Sequence, residues 1–388
     1  MSTLETARGA ADVYGRLGMA PIINGSGTVT ILGGTLMSEE VLAAMNAAAR
    51  SYVDLPAFLE RAGRYLAERI GVPGAFISSG AAGGIAVAVA AVLSGGERER
   101  AWALPRTDGR PNEIVVLKTK GANYMHQAAE MVGGKLVEVG EPGGPVTVDD
   151  FAAAIGPQTA AILYVYPYVE ATLKEAGNRA ATLTAVGKVA RERGVPVLVD
   201  AAAELPPREK LTRFHQEGGD LVIFSGGKGV CGPQSTGLVV GRADLIASCL
   251  LNSNPNSSVG RAMKVGKEEV AGLVRAVELF LERDEAAVFA EWKRRGQVIA
   301  DRLQGIPGVT AQVIENDGRS RPPEAATCFV TITDGARLSA KEIVTRLAQG
   351  TPSIRVRPLP DGFFICAMTL RDGEDAVIGE EIARILEG

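Results

Sequence analysis

Two pieces of one stretch decide the fold: PVLVDA at residues 196–201 and DLVIFSGGKG at residues 220–229. Each is a short, nearly continuous apolar run rich in β-branched residues, which is typical of a parallel strand buried on both faces. In open sheets of this kind, ligands bind beyond the carboxyl ends of the strands. Asp200 and Lys228 follow such ends and are therefore the first candidate site residues.

Similar runs flank these two along the chain and alternate with helical patterns. The predicted strands are 75–79, 113–118, 135–140, 160–167, 196–201, 220–226 and 236–242. The predicted helices between them are 56–71, 81–94, 122–132, 147–155 and 180–193. This alternation predicts an α/β fold with a seven-stranded, mainly parallel sheet covered by helices on both faces.

The chain has 388 residues, too many for one ordinary core, so the sequence predicts more than one domain. Residues 1–55 are predicted as an N-terminal arm with a helix capped by Ser38, and 56–255 as the large α/β domain. The turn-forming LNSNPNSSVG then leads into a smaller α+β domain, residues 256–388. Its predicted elements are a long helical stretch at 266–304, strands at 309–314, 326–333, 352–358 and 362–367, and helices at 339–349 and 374–387.

Composition excludes several classes of protein. Apolar residues make up 46% and the net charge is −4, which argues against a broad nucleic-acid surface. No apolar run is long enough to span a bilayer, and MSTLETARGA has no signal-peptide core. The four cysteines are scattered and only two histidines occur, which argues against a metal site, a disulfide framework or a histidine cluster. We therefore expect a cytoplasmic protein with a small-molecule partner.

A turn of small residues, SSGAAGG at 78–84, joins the first predicted strand to its helix. Small residues let the backbone close on a phosphate, and the free N–H groups at the helix start stabilise the dianion. When this turn is considered without the other motifs, tight packing explains its small residues better than phosphate binding does. The candidate phosphate-binding residues are Ser79, Gly80, Ala81 and Ala82.

Asp200 and Lys228 supply the other two groups of a site. A carboxylate that ends a buried strand needs a partner, and a protonated pyridine nitrogen is a suitable one. Ala202 is small enough to lie against a flat ring. Lys228 sits among glycines after an apolar strand, where desolvation lowers its pKa and makes it nucleophilic toward an aldehyde. A helix cap for Asp200 and an exposed loop position for Lys228 are the structural alternatives.

Taken in order, the phosphate turn, the aspartate and the lysine predict pyridoxal 5′-phosphate (PLP), bound as a Schiff base to Lys228. Ser225, three residues before the lysine, is predicted to add a hydroxyl to the phosphate. This order of motifs is similar to that of the aspartate-aminotransferase-like, fold-type I PLP enzymes.

The chain resembles one branch of fold-type I more closely, the branch of bacterial selenocysteine synthase and D-glucosaminate-6-phosphate ammonia-lyase-like proteins. The block FSGGKGVCGPQSTGLVVGRADLI is the most specific part of the likeness. The matching stretches are 22–34, 76–91, 197–207, 224–246, 259–274 and 367–378. The chain begins at the catalytic core, without the N-terminal domain that would hold a tRNA, so the resemblance favours the ammonia-lyase-like members over selenium transfer.

The resemblance also implies further site residues. Arg261 and Lys264 would share a helical face and bind an anion, from substrate or cofactor, with a solvated helix start as the alternative. Arg355 and Arg357, placed by alternation on one side of a strand, are candidates to grip the substrate carboxylate, with a surface pair as the alternative.

Tyr124 and His126 are candidates for the group that lies over the other face of the ring. His126 also fits an ordinary helix position, and relatives place a histidine nearer Gly121 or Asn123. Thr30, in the loop 24–34, is a candidate substrate contact. The resemblance implies a homodimer or higher homo-oligomer in which this loop completes a partner's site.

The implied reaction is α-proton abstraction and β-elimination on an amino acid or amino-sugar acid, which ends in a 2-oxo acid and ammonia. Lys228 would move the proton while Asp200 keeps the ring cationic. Racemisation or epimerisation and transamination share the first steps, and the sequence leaves them open.

Overall fold

The computed structural model describes residues 13–121, 123–171, 173–316 and 321–388. It divides into two compact units. The larger unit comprises residues 28–284, and the smaller one combines the described residues up to 27 with residues 285–388.

The strands, in chain order, are β1 Ile22–Asn24, β2 Gly74–Ser79, β3 Glu113–Leu117, β4 Lys135–Val139, β5 Thr159–Val165, β6 Val197–Asp200, β7 Leu221–Ser225, β8 Thr236–Gly241, β9 Val309–Ile314, β10 Thr327–Ile332, β11 Ser353–Arg355, β12 Arg357–Leu359 and β13 Gly362–Cys366. The α-helices are α1 Val13–Arg16, α2 Glu39–Ala49, α3 Leu55–Ile70, α4 Gly80–Ser94, α5 Arg98–Ala103, α6 Tyr124–Glu130, α7 Val148–Ala154, α8 Tyr166–Glu170, α9 Leu173–Ala176, α10 Leu183–Glu192, α11 Lys210–Gln216, α12 Ala243–Leu251, α13 Lys267–Glu282, α14 Glu285–Arg302, α15 Ala340–Gln349 and α16 Glu374–Glu387.

The larger unit is built on a seven-stranded sheet in the order β2-β8-β7-β6-β5-β3-β4. The strands run parallel except β8, which is antiparallel to both of its neighbours, β2 and β7. Two apolar clusters, one on each face of this sheet, form the core. The predicted fold class, a seven-stranded and mainly parallel α/β sheet, is confirmed.

Helix α4 shows why the sequence builds this sheet with covered faces. Its sequence, GAAGGIAVAVAAVLS, is apolar on nearly every side, and most of its residues are buried. A helix that is apolar all round must lie inside a protein or a membrane. Here it packs on the sheet, and within the described ranges no helix is both long and apolar enough to cross a bilayer.

The smaller unit has an antiparallel sheet in the order β12-β13-β10-β9. Helices α14, α15 and α16 contribute to its apolar core, together with strands β10 and β13. This agrees with the predicted smaller α+β domain. The short parallel pair of β1 and β11 also lies in this unit.

Two elements of the smaller unit differ from the prediction. The single strand predicted at 352–358 is two strands, because β11 pairs with β1 whereas β12 pairs with β13. Strand β1 was missed because three residues carry too little pattern to reveal pairing with a partner more than 300 residues away.

The helical stretch predicted at 266–304 is two helices, α13 and α14. Arg283 leaves helical geometry with ψ 149°, and neither glycine nor proline marks the break in the sequence. Helix α13 packs on α2, so the larger unit extends to residue 284 rather than to the predicted 255. Helices α11 and α12 were not predicted either.

Replacing Phe224 by alanine tests how far the core around β7 sets stability. Phe224 is fully buried, and its ring lies 6.2 Å from that of Phe214. We expect Phe224→Ala to lower the free energy of unfolding by about 3–5 kcal/mol, measured by urea denaturation. Tyr52→Ala, at an exposed side chain, should change it by no more than about 0.5 kcal/mol. A loss below about 1 kcal/mol for Phe224→Ala would contradict the packing described here.

Candidate active site

The sheet order brings the predicted site residues together at the carboxyl ends of three strands, here called the sheet edge. Because β8 is antiparallel to both neighbours, β2 and β7 run in the same direction and end together. Strand β6 pairs parallel to β7, so Asp200 ends at this edge too. The ends of β2, β7 and β6 therefore place Ser79, Ser225 and Asp200 along one line, and Lys228 lies three residues beyond Ser225.

Helix α4 begins at this edge, directly after β2. Ser79 occupies the cap position, but its side chain makes no capping hydrogen bond. Gly80 has φ +70° and open space where a side chain would stand. The first N–H groups of the helix therefore face the sheet edge without a side-chain acceptor, an arrangement that suits an anion. Ala81 and Ala82 continue this first turn.

Asp200 is almost fully buried, with 1% of its surface exposed. Its Oδ1 accepts a hydrogen bond from the backbone N–H of Ala202 at 3.1 Å. Its Oδ2 accepts one from the hydroxyl of Tyr124 at 2.7 Å. Burial raises the pKa of Asp200, and these two donors, with the charge of Lys228, oppose that rise. The carboxylate is thus held in one orientation, with lone pairs left for a further donor.

Lys228 is half-buried in the turn that follows β7. Burial lowers the pKa of its amine, and the charges of Asp200 and Glu204 oppose this effect. A lowered pKa gives more of the neutral amine, the form that attacks an aldehyde.

The turn around Lys228 is held by close backbone contacts. A Cβ on Gly227 would stand 2.3 Å from the Cα of Gln234, and a Cβ on Gly229 would stand 2.1 Å from the carbonyl oxygen of Leu205. Both neighbours of Lys228 must therefore be glycine, which explains the sequence GGKG. The contacts leave the lysine as the side chain that this turn presents.

Thr35 is a residue that sequence reasoning missed. Its N–H and its Oγ1 both lie 3.1 Å from the carbonyl oxygen of Gly227, and its Oγ1 lies 2.9 Å from that of Lys228. The hydroxyl and the amide thus bind the backbone on both sides of the lysine Cα. The chain offers one signal, the Gly33-Gly34 pair that precedes Thr35 and turns the loop.

Thr30, the predicted substrate contact, lies exposed in the same loop. Its carbonyl oxygen accepts a hydrogen bond from Nε2 of Gln234 at 2.9 Å. The loop is therefore tied to the Lys228 turn at two points, by Thr35 and by Gln234. A substrate role for Thr30 stays a prediction.

Ser225 and Ala202 lie where the prediction placed them, at the ends of adjacent strands. The N–H of Ser225 donates to the carbonyl oxygen of Ala202 at 3.2 Å, which joins the two strand ends. Ala202 is buried, with 9% exposure, and Ser225 is partly exposed. Their contacts with a cofactor remain predictions.

Tyr124 and His126, the candidates for the ring-covering group, differ in their surroundings. Tyr124 is 46% exposed and bonds Asp200 through its hydroxyl, which places it at the site. His126 is buried, and its Nε2 lies 3.1 Å from the carbonyl oxygen of Leu117. These contacts favour Tyr124 as the group near the cofactor and favour the structural alternative for His126.

Arg261 and Lys264 are both exposed, which fits the solvated alternative as well as an anion-binding role, so the role stays a prediction. They do not share a helical face, because the segment forms turns and α13 begins only at Lys267. The side chain of Met263, between them, lies 3.9 Å from the Cβ position of Gly83 in the first turn of α4. The segment thus runs past the start of that helix.

Arg355 and Arg357 belong to the smaller unit and are both exposed. The prediction that they lie on the same side of one strand is wrong. Arg355 is the last residue of β11, and Arg357 is the first residue of β12. The guanidinium of Arg357 lies 6.0 Å from the ring centre of Phe364. Neither arginine is distinguished by these contacts as a carboxylate ligand.

An amine on a glycine turn, a buried carboxylate and an open helix N-terminus, all at one edge of this sheet, define the fold-type I class of PLP enzymes. Solved structures agree on the fold: alanine–glyoxylate aminotransferase from Nostoc sp. has a TM-score of 0.58 at 16% identity, covering 100% of this chain and 99% of that one. The structure of D-glucosaminate-6-phosphate ammonia-lyase is more similar, with a TM-score of 0.80 at 30% identity over 98% of this chain and 100% of that one.

Sequence comparison points to the same family. D-glucosaminate-6-phosphate ammonia lyase from Salmonella typhimurium is 32% identical, covering 97% of this chain and 98% of the relative. A 5′-C-glycyluridine monooxygenase-decarboxylase from Streptomyces sp. is 36% identical, covering 89% of this chain and 84% of the relative. The family model described as SelA, L-seryl-tRNA selenium transferase, matches residues 113–290. The chain belongs to this SelA-like family of PLP-dependent enzymes, as its motifs indicated.

Substitution of Thr35 tests its hold on the Lys228 turn. Thr35→Val keeps the shape of the side chain but removes the hydroxyl from two carbonyl oxygens. We expect PLP affinity, measured by absorbance titration, to fall about fivefold, the equivalent of one hydrogen bond of about 1 kcal/mol. Thr35→Ser retains the hydroxyl and should bind PLP like the unchanged protein. Equal affinities for the valine and serine variants would contradict the role of the hydroxyl.

Proposed function

We propose that this protein is a PLP-dependent lyase that removes the α-proton and eliminates a β-substituent from an amino acid or amino-sugar acid, releasing ammonia. The observation that carries the proposal is the placement of a buried Asp200 and a half-buried Lys228 at the carboxyl ends of the adjacent parallel strands β6 and β7. The end-to-end likeness to an ammonia lyase supports elimination as the reaction.

The residues present fit PLP in their chemistry. The first N–H groups of α4, with the hydroxyl of Ser225, would hold the phosphate. Asp200, oriented by Tyr124 and Ala202, would accept a hydrogen bond from the pyridine nitrogen. Lys228 would bind the aldehyde as a Schiff base. When bound, the cofactor supplies an electron sink for charge that develops at the substrate α-carbon.

Lys228 would also act as the base. With substrate in the site, its free amine would take up the α-proton at Nζ. Burial favours the neutral amine needed for this step. Asp200 would keep the pyridine nitrogen protonated, because a carboxylate fixed by two donors stabilises a positive charge opposite it. The proton held on Lys228 would leave with the β-hydroxyl as water, and hydrolysis of the resulting enamine would give a 2-oxo acid and ammonia.

A second candidate function has its own support. The Streptomyces relative, at 36% identity, carries the name of a monooxygenase-decarboxylase of a glycyl nucleoside. The same lysine and aspartate would serve cleavage of a different bond at the α-carbon. Racemisation, epimerisation and transamination also remain alternatives, since they begin with the same proton transfer. Selenium transfer is less favoured, because the selenium transferases align with this chain over less of their own length than the ammonia lyase does. The one from Moorella thermoacetica is 27% identical over 82% of its length, and the one from Rhizobium meliloti is 32% identical over 59%.

The remaining roles belong to the proposal as well. Arg355 or Arg357 would hold the substrate carboxylate, and Arg261 with Lys264 would hold a substrate phosphate or another anion. A homodimer or larger homo-oligomer is the assembly expected of a soluble enzyme of this class. The cytoplasmic location expected from the sequence is also part of the proposal.

Removal of the Lys228 amine tests the cofactor assignment. Lys228→Ala should lose the Schiff-base absorbance band and slow turnover by at least about 10²-fold, because proton transfer by a positioned base is lost. Lys135→Ala, at an exposed lysine in the same unit, should keep both. An unchanged absorbance spectrum in Lys228→Ala would remove the central claim.

Product analysis separates the candidate reactions. With an α-deuterated β-hydroxy amino acid or amino-sugar acid, elimination predicts one ammonia released for each 2-oxo acid formed. Loss of deuterium without ammonia would indicate racemisation or epimerisation, and accumulation of pyridoxamine phosphate would indicate transamination. Release of carbon dioxide from a glycyl nucleoside would favour the decarboxylase alternative.

A further inference from the structure

One buried amide near the start of α4 lacks a hydrogen-bond partner. Asn254 is 3% exposed, and its Nδ2 donates to no atom of the residues that the structure describes. Buried polar groups in folded proteins are nearly always hydrogen-bonded, because an unpaired one loses its hydration without compensation. An amide in this condition calls for an explanation, and a ligand that brings an acceptor supplies one.

Asn254 lines a small cavity beside the end of β2 and the start of α4. Ser78 and Ser79, the last residues of β2, line the same cavity, and most of its other walls are apolar. Oγ of Ser79 lies 2.8 Å from the Cβ position of Gly83, in the first turn of α4. Met263, which also lines the cavity, has its Cβ 3.9 Å from that position. The unpaired amide and the helix start therefore adjoin one space.

The size of this cavity suits a single oxygen atom. Its volume is about 10 Å³, close to the least that holds one water molecule. A whole phosphate group is larger than this, but one of its oxygens is not. The cavity can therefore receive one oxygen of a phosphate whose other atoms lie outside it, at the helix start, where Gly80 has open space.

The loop that carries Asn254, directly after α12, is fixed by hydrogen bonds of its neighbours. Nδ2 of Asn252 donates to Oγ of Ser94 at 2.8 Å. Oγ of Ser253 donates to the carbonyl oxygen of Leu250 at 2.9 Å. Asn254 is therefore held beside the cavity before any ligand arrives, which reduces the entropy lost when its amide binds one.

We propose that Asn254 binds the phosphate of PLP: its Nδ2 donates a hydrogen bond to one phosphate oxygen in this cavity, while the N–H groups at the start of α4 bind the others. An anionic oxygen is the acceptor that the amide lacks, and hydrogen bonds to charged acceptors are the stronger ones. The inference rests on the proposed function, in which the start of α4 holds the cofactor phosphate, and adds a donor from the loop after α12.

The test compares the binding of PLP with that of pyridoxal, which lacks the phosphate. Asn254→Leu keeps roughly the size of the side chain and removes both N–H donors. We expect its affinity for PLP, measured by absorbance titration, to fall about tenfold, as loss of a hydrogen bond to a charged group does. Its affinity for pyridoxal should stay unchanged. Asn254→Ala, which removes the same donors, should show the same selective loss.

The matched control is Asn256→Ala, at a second asparagine of the same loop. Nδ2 of Asn256 donates to the carbonyl oxygen of Leu250 at 2.8 Å, so this amide already has a partner within the protein. Any effect of its removal comes through the shape of the loop. The ratio of the affinities for PLP and pyridoxal should therefore equal that of the unchanged protein.

Equal losses of affinity for PLP and pyridoxal in the Asn254 variants would overturn the inference, because the amide would then serve only the fold or a buried water molecule. An unchanged affinity for PLP would overturn it as well. Failure of the proposed function looks different, since the unchanged protein would then form a Schiff base with neither aldehyde.

Inorganic phosphate tests Asn254 without the cofactor. It should raise the melting temperature of the unchanged cofactor-free protein more than that of Asn254→Leu, because a ligand stabilises the folded state in proportion to its affinity. An equal rise in both proteins would reject the phosphate-binding role of Asn254.

Discussion

The contact of Gly227 and Gly229 with backbone from elsewhere in the fold is the constraint on which the site depends. Leu205 and Gln234 stand so close that any side chain at either glycine would collide with them. Thr35 then bonds the carbonyl oxygens of Gly227 and Lys228. The backbone on both sides of Lys228 is therefore held in place, although the lysine side chain is long and flexible. A fixed backbone keeps a reactive side chain close to the group with which it reacts.

Burial acts in opposite senses on the two reacting groups. It raises the pKa of Asp200 and lowers that of Lys228, since in each case the charged form is penalised. Hydrogen bonds from Tyr124 and Ala202 oppose the rise of the Asp200 pKa. The charges of Asp200 and Glu204 oppose the fall of the Lys228 pKa. The pKa values of both groups are thus shifted toward the neutral form, and shifted pKa values recur at catalytic residues.

The sequence predicted the sheet and the positions of Asp200 and Lys228 because each ends an apolar run, a signal that is local and strong. It did not predict Thr35, since a threonine in a loop gains its role from packing against residues nearly 200 positions away. The pairing of β1 with β11 was missed for the same reason. The break at Arg283 was missed because neither glycine nor proline marks it. For His126 the pattern was ambiguous, and only the contact with Leu117 distinguishes a packing role.

The single antiparallel strand of the sheet, β8, also sets the distance across the sheet between the start of α4 and the strands that carry the other site residues. It separates the end of β2 from the end of β7, and β6 lies one strand further along. Strands are about 4.8 Å apart, so the helix start stands about 10 Å from the strand of the lysine and about 14 Å from that of the aspartate. The hydrogen-bonded strand order thus fixes the distance between the anion site at the start of α4 and the strand that leads to Lys228. Changes of side chain can alter which molecules bind, but the span they must bridge would change only if a strand were gained or lost.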